Sequence, residues 1–276
     1  MSTSESPAAA TRDGASRNGA PLLSLRALNK HFGPVQALSR VDFDVPPGEV
    51  TALVGDNGAG KSVTIKTISG LWAPDGGEIL WEGEPIHLHG PRDSEALGIT
   101  TIYQDLALCD NLDIVQNMFL GHEPLRRGFL DEASMEIRAR ETMQELHVTT
   151  IRSIRQPVAS LSGGQRQSVA VAKAVLSKAK LVIMDEPTAA LGVAQTRQVL
   201  DLIKRLSSQG VAVLVVSHNL VDVFAVADRV VILYLGRTVA SGPASDFDTS
   251  SVVDYMTTGS SDRAPSSSAA TQNESR

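Results

Sequence analysis

The chain alternates between short apolar runs of strand length and stretches in which apolar residues recur at helical spacing. Residues 23–28 and 41–45 predict early strands, with breaks at Gly33-Pro34 and at Pro46-Pro47-Gly48. Residues 50–54 form an apolar run that stops at Gly55, and a helix is predicted from Lys61 to Leu71. Further runs follow at 99–103, 181–184, 211–216 and 230–235. Continuous apolar strands suit a mainly parallel sheet wrapped by helices on both faces, so the predicted class is α/β. Val199, Leu202, Ile203 and Leu206 fall on one buried helical stripe, and Val169, Ala172, Val175 and Leu176 face inward on another helix.

The middle of the chain differs. From 106 to 156 the strand-like runs vanish, and Met135, Ala139, Met143 and Leu146 mark an amphipathic helix. This predicts a helical subdomain, at about 105–160, inserted into a single α/β domain spanning 21–258. Residues 1–20 and 259–276 are polar and small-residue-rich with nothing to bury, so both are expected to be disordered tails, inert or regulatory.

Composition narrows the field. The 276 residues are 42% hydrophobic and 20% charged, enough apolar material for a sizeable core. With 25 Lys+Arg against 31 Asp+Glu, the formal charge of −6 argues against nucleic acid as a partner. The single Cys109 has no intrachain partner for a disulfide and reads as a small packing residue in a reducing compartment. No run approaches the ~20 apolar residues of a membrane span, and residues 1–20 hold no secretory-type apolar segment. A soluble, cytoplasmic chain is expected. His87 and His89 lie side by side near 85–89, but no third ligand accompanies them, and they read as exposed strand histidines.

Three constellations carry chemistry. Gly55-Asp56-Asn57-Gly58-Ala59-Gly60-Lys61-Ser62 matches the phosphate-loop pattern between an apolar strand and a helix. Phosphate must be approached by backbone N–H groups. Gly58 and Gly60 let the backbone curl, and the helix opening near Lys61 aims its positive end at the anion. Lys61 is placed for the β- and γ-phosphates and Ser62 for Mg²⁺. The run 181–184 then delivers Asp185 and Glu186 at a strand end, where ligands of such sheets bind. Neighbouring strand residues point to opposite faces, so the two carboxylates divide the work: Asp185 for Mg²⁺, Glu186 to polarise the attacking water. Thirdly, Leu161-Ser162-Gly163-Gly164-Gln165 opens a helix, another anion-seeking end.

In this order, the phosphate loop, LSGGQ, the strand ending in Asp-Glu and a downstream Ser217-His218 resemble the ATP-binding subunit of an ABC transporter, from about residue 23 to 256. The resemblance implies a P-loop (RecA-like) core with an antiparallel β edge and an inserted helical subdomain. It implies ATP and Mg²⁺ as cofactors, with the nucleotide held by Gly55, Asp56, Asn57, Gly58, Ala59, Gly60, Lys61, Ser62 and Val63. It also places Gln104 at Mg²⁺ and the attacking water, His218 at the γ-phosphate, and Phe32 against adenine; for Phe32 an ordinary core aromatic is the rival reading. Ser162, Gly163, Gly164 and Gln165 would complete the site of a second cassette, a homodimer partner.

Residues 106–121, Ser69-Gly70-Leu71-Trp72 and the run from Glu186 to Val193 are similar to the monosaccharide branch of sugar importers, particularly its single-cassette members for fructose, ribose or xylose. That branch implies a separate multi-span permease, an extracytoplasmic sugar-binding protein, and a peripheral position on the cytoplasmic face of the membrane. An exporter ATPase, or a soluble cassette ATPase, is the alternative. One position departs from the family pattern: Gly192 stands where an Asp is usual, which bears on communication between paired sites.

Overall fold

The computed structural model describes residues 20–189 and 191–261. Most of both expected tails lies outside the described residues. In chain order, β1 (Leu23–Phe32) and β2 (Val35–Val45) precede β3 (Val50–Gly55), α1 (Lys61–Ile68), β4 (Gly76–Trp81), β5 (Glu84–Ile86), α2 (Pro91–Leu97) and β6 (Ile99–Ile102). Then come α3 (Ile114–Phe119), the short strands β7 (Leu125–Arg126) and β8 (Phe129–Leu130), α4 (Glu132–Glu145) and α5 (Gly163–Leu176). Next are β9 (Leu181–Asp185), α6 (Val193–Ser208), β10 (Ala212–Val216), α7 (Leu220–Val226), β11 (Arg229–Tyr234), β12 (Arg237–Pro243) and α8 (Thr249–Thr258).

Two sheets build the core. One is antiparallel, ordered β2-β1-β4-β5; the other has six strands ordered β12-β11-β3-β10-β9-β6. In the second, β11, β3, β10, β9 and β6 run parallel and only β12 is antiparallel. Every residue of β3 and β10 is buried, which is why these segments read as unbroken apolar runs. On one face, Leu53, Ile183 and Leu214 pack with Ile65 and Ile68 of α1 and with Leu25 and Leu38 of the antiparallel sheet. On the other, Val182, Met184 and Val213 pack with the stripes of α5 and α6 and with the helical insertion. The α6 stripe Val199, Leu202, Ile203 and Leu206 and the α4 stripe Met135, Ala139, Met143 and Leu146 are buried as their spacing predicts.

Three local expectations are corrected. The helix after the phosphate loop stops at Ile68 rather than Leu71, because Gly70 takes φ +73° and the N–H groups of Leu71 and Trp72 turn back to the Lys66 carbonyl. The strand expected at 85–89 is Glu84–Ile86: the His89 N–H instead meets the Asp93 carboxylate at 2.7 Å, at the start of α2. Within the stretch that looked wholly helical, β7 and β8 make a hairpin whose Arg127-Gly128 turn has positive φ at both residues. Two-residue strands are too short for a period to show.

Phe119 is the largest of the fully buried side chains and sits where α3, α4 and α5 meet. Phe119→Ala is expected to cost about 3–5 kcal/mol, read as a lower urea midpoint at unchanged m-value.

Candidate functional site

The phosphate loop is shaped by crowding around its glycines. At Gly55 a Cβ would lie 2.5 Å from the Leu233 carbonyl oxygen and 2.9 Å from the Ala59 methyl. At Gly60, φ is +101° and a Cβ would meet Leu38 Cδ2 at 2.8 Å. Gly58 has φ +85° with open space around it, so there only the backbone conformation calls for glycine. The loop is closed internally by Ala59 N–H to Asp56 O, 3.1 Å, and pinned from outside by Gly236 N–H to Ala59 O, 3.0 Å. Lys61 is only 8% exposed, and its Nζ donates to the carbonyls of Gly55 (2.7 Å) and Asp56 (3.0 Å). The side chain of Ser62, next along α1, is exposed.

Across a cleft of about 470 Å³ stand the acids. Asn57, Gly58, Gly60, Lys61, Ser62 and Val63 line one side, and Gln104, Asp185 and Glu186 the other. Asp185 ends β9 in register with Val216 of β10. Glu186 leaves the strand with φ +50°, and its N–H is tied to the Val216 carbonyl at 2.9 Å. This strained step swings its carboxylate to His218, whose Nδ1 lies 2.9 Å from Oε1. Gln104 follows β6 and is exposed to the cleft. Burial, and next the Glu186 charge, raise the Asp185 pKa, with Lys61 and Lys66 pulling the other way.

A half-buried carboxylate held above its ordinary range gains most from a cation, so the donor set of Asp185, Ser62 and Gln104 fits Mg²⁺. Mg²⁺ takes one or two carboxylates and keeps water and phosphate oxygens as its other ligands, which this donor set permits.

Two predicted groups lie apart from this cleft. Phe32 is 40% exposed at the tip of the β1–β2 hairpin, its ring edge-on to Trp72 with centroids 4.7 Å apart. It does not line the cleft, although its cross-strand partner Val35 does. Ser162 caps α5: its Oγ accepts from Gln165 N–H at 3.4 Å, and Gln165 Oε1 accepts from Ser162 N–H at 2.9 Å. Gly163 and Gly164 let α5 pack closely on Leu191 and Gln195, where Cβ atoms would approach to 2.7 and 3.1 Å. Gly192 caps α6 without a side chain, in open space. Sequence reasoning missed Val35, Gln36 and Ala37 at the start of β2 and Leu235 in the β11–β12 turn, which complete the cleft wall. Only the break at Gly33-Pro34, just before β2, gave any signal.

A glycine loop between a parallel strand and a helix, facing carboxylates at the end of a second parallel strand, defines a nucleoside triphosphatase of the P-loop class. The sequence matches the family model for ABC transporters over residues 38–189, and the chain belongs to that family. It is 49% identical over 244 residues to the fructose import ATP-binding protein FrcA of Rhizobium meliloti, covering 86% of this chain and 94% of that one. It is 43% identical over 236 residues to the xylose/arabinose import ATP-binding protein XylG of Sulfolobus acidocaldarius, with the same coverage. The fold is similar to a dimeric post-hydrolysis ATP-binding cassette bound to ADP and phosphate, with TM-score 0.68 and 24% identity over 82% of this chain and all of that one. No helix among the described residues is long and apolar enough to cross a membrane.

The raised Asp185 pKa fixes the sign of a pH effect. The folded chain binds this proton more tightly than the unfolded one, so the favourable contribution is complete at low pH and is lost as pH rises through the folded pKa. Asp185→Asn, without nucleotide, is therefore expected to raise Tm at neutral pH. Scanning calorimetry should show that gain shrinking as pH falls toward the aspartate range.

Proposed function

We propose that the chain is the ATP-hydrolysing subunit of a carbohydrate importer, working as a homodimer on the cytoplasmic face of the membrane beneath a separate multi-span permease. The carrying observation is the juxtaposition of Glu186, held by His218, with Lys61 and Ser62 across one cleft. A monosaccharide is the substrate class, in keeping with the names of the sugar-import relatives, and an extracytoplasmic binding protein would present it.

In this reading the backbone N–H groups of residues 55–60 and the Lys61 ammonium cradle the phosphates. Mg²⁺ held by Ser62, Asp185 and Gln104 would neutralise charge on the β- and γ-oxygens. Glu186 accepts the proton of a water as its oxygen bonds to the γ-phosphorus and the β–γ bridging bond breaks. His218, hydrogen-bonded to Glu186, fixes that carboxylate and faces the transferred group. Phe32 supplies a ring face for adenine, its tilt set by Trp72. Ser162 and Gly163, exposed, and Gln165, half-exposed, lie away from their own cleft and with the buried Gly164 complete the site of the second copy. Gly192 weakens the connection between the two sites, because the cap of α6 offers no carboxylate to the opposite cassette.

Replacing Glu186 with Gln is expected to leave ATP binding intact and to slow hydrolysis about 10²–10⁴-fold, with the variant accumulating as an ATP-dependent dimer in gel filtration. Hydrolysis at the parental rate would remove Glu186 from this role. Mild-detergent co-purification of the same variant from native membranes, followed by mass spectrometry, is expected to recover a multi-span permease and a sugar-binding protein. Recovery of ribosomes or DNA with no membrane protein would overturn the transport reading.

A further inference from the structure

The segment between Gln104 and α3 is held by one buried amide. Asn117, 1% exposed on α3, accepts from Cys109 N–H through Oδ1 at 2.7 Å. Its Nδ2 donates to the carbonyls of Cys109 (3.0 Å) and Asp113 (3.0 Å), with Leu112 O at 3.3 Å. Both ends of the amide are therefore spent on the backbone of 109–113, a loop with no regular structure of its own. Nearer Gln104, Ala107 sits at φ +50°, a conformation that persists in a non-glycine residue only where its surroundings hold it. Leu106 and Leu108 pack on the core on either side of that step, and the Asn117 amide holds the chain just beyond it at Cys109.

The same loop is fastened to the segment that leads into α5. Val158 N–H donates to Leu112 O at 3.0 Å, and Ala159 N–H to Asp110 O at 3.1 Å. Arg166 Nη1 meets the Asp110 carboxylate at 2.7 Å, while its Nε reaches Leu161 O at 3.4 Å. Arg166 follows Gln165 directly, and its own N–H donates to Ser162 O at 2.9 Å. A continuous set of bonds thus runs from the loop after Gln104 to Ser162, the residue the proposed dimer presents to the other copy.

We infer that Asn117 is a positioning residue for Gln104, and that the Asp110–Arg166 ion pair is the exposed tie that sets the spacing between Gln104 in one cleft and Ser162 at the next. This rests on the dimer reading given above. Asn117 touches no reacting atom; it acts by holding the backbone. Asp110 is exposed and Arg166 partly so, so their pair contributes little to stability and can be cut without unfolding the chain.

The test uses the full-length chain. Asp110→Arg and Arg166→Asp are each expected to lower kcat for ATP roughly tenfold or more, with the Kd for ATP and the Tm unchanged, because the phosphate loop is untouched. The double swap, which restores the pair with its charges exchanged, is expected to recover most of the lost kcat. Asn117→Asp keeps the acceptor but aims a carboxylate at three carbonyls, and should reproduce the kcat loss. Wild-type kcat in both single variants, or a double swap no better than either, would overturn the inference. Each single variant is also made in the Glu186→Gln background and examined for the ATP-dependent dimer. If Glu186→Gln alone fails to dimerise, the dimer reading falls and takes this one with it. If it dimerises equally well with and without the Asp110–Arg166 pair and kcat is unmoved, only the present inference falls.

Discussion

The close approach of the phosphate loop to backbone on neighbouring strands is the constraint on which the rest of the structure depends. Gly55 runs against the Leu233 carbonyl, Gly60 against Leu38, and Gly236 N–H pins Ala59. These contacts tie the loop to β11 on one side and to the antiparallel sheet on the other. A surface made of backbone N–H groups has no side chains to adjust once a ligand arrives, so its shape has to exist beforehand. The central place of β3, with β10 and β11 on either side, follows from that need as much as from hydrophobic burial.

The acid side of the cleft is built at a cost. Asp185 is half-buried with its charged form disfavoured, and Glu186 departs from β9 through a left-handed residue. Both features oppose folding, and both place carboxylates on the cleft that Lys61 and Ser62 also line. The hydrogen bond from the Glu186 amide to Val216 and the contact with His218 hold that arrangement in a fixed geometry.

Much of this was legible in the sequence because core strands buried on both faces leave a signature that little else imitates. Residues 50–54, 181–184 and 211–216 were readable for that reason, and the glycine pattern of 55–62 gave the loop its chemistry. The antiparallel strand β4 opens on two glycines and is half-exposed, β5 has only three residues and β7 and β8 two each, so no period marks them. Ala37, on β2, and Leu235, in the β11–β12 turn, entered the cleft through topology alone: nothing in their local sequence says which loop they will face. The hub at Asn117 was equally silent, since an asparagine inside an apolar helical stretch announces neither its burial nor its partners.

The Lys61 ammonium already has two carbonyl oxygens as partners, at Gly55 and Asp56. In the proposed role, engaging a phosphate would be an exchange of acceptors for a largely buried, preoriented cation, with the count of hydrogen bonds little changed. Discrimination then resides in the charge of the incoming oxygen, because an anionic acceptor outbids a neutral carbonyl while an uncharged ligand of similar shape does not. In the proposed role the loop would be a comparator of acceptor strength, set to separate charged oxygens from neutral ones.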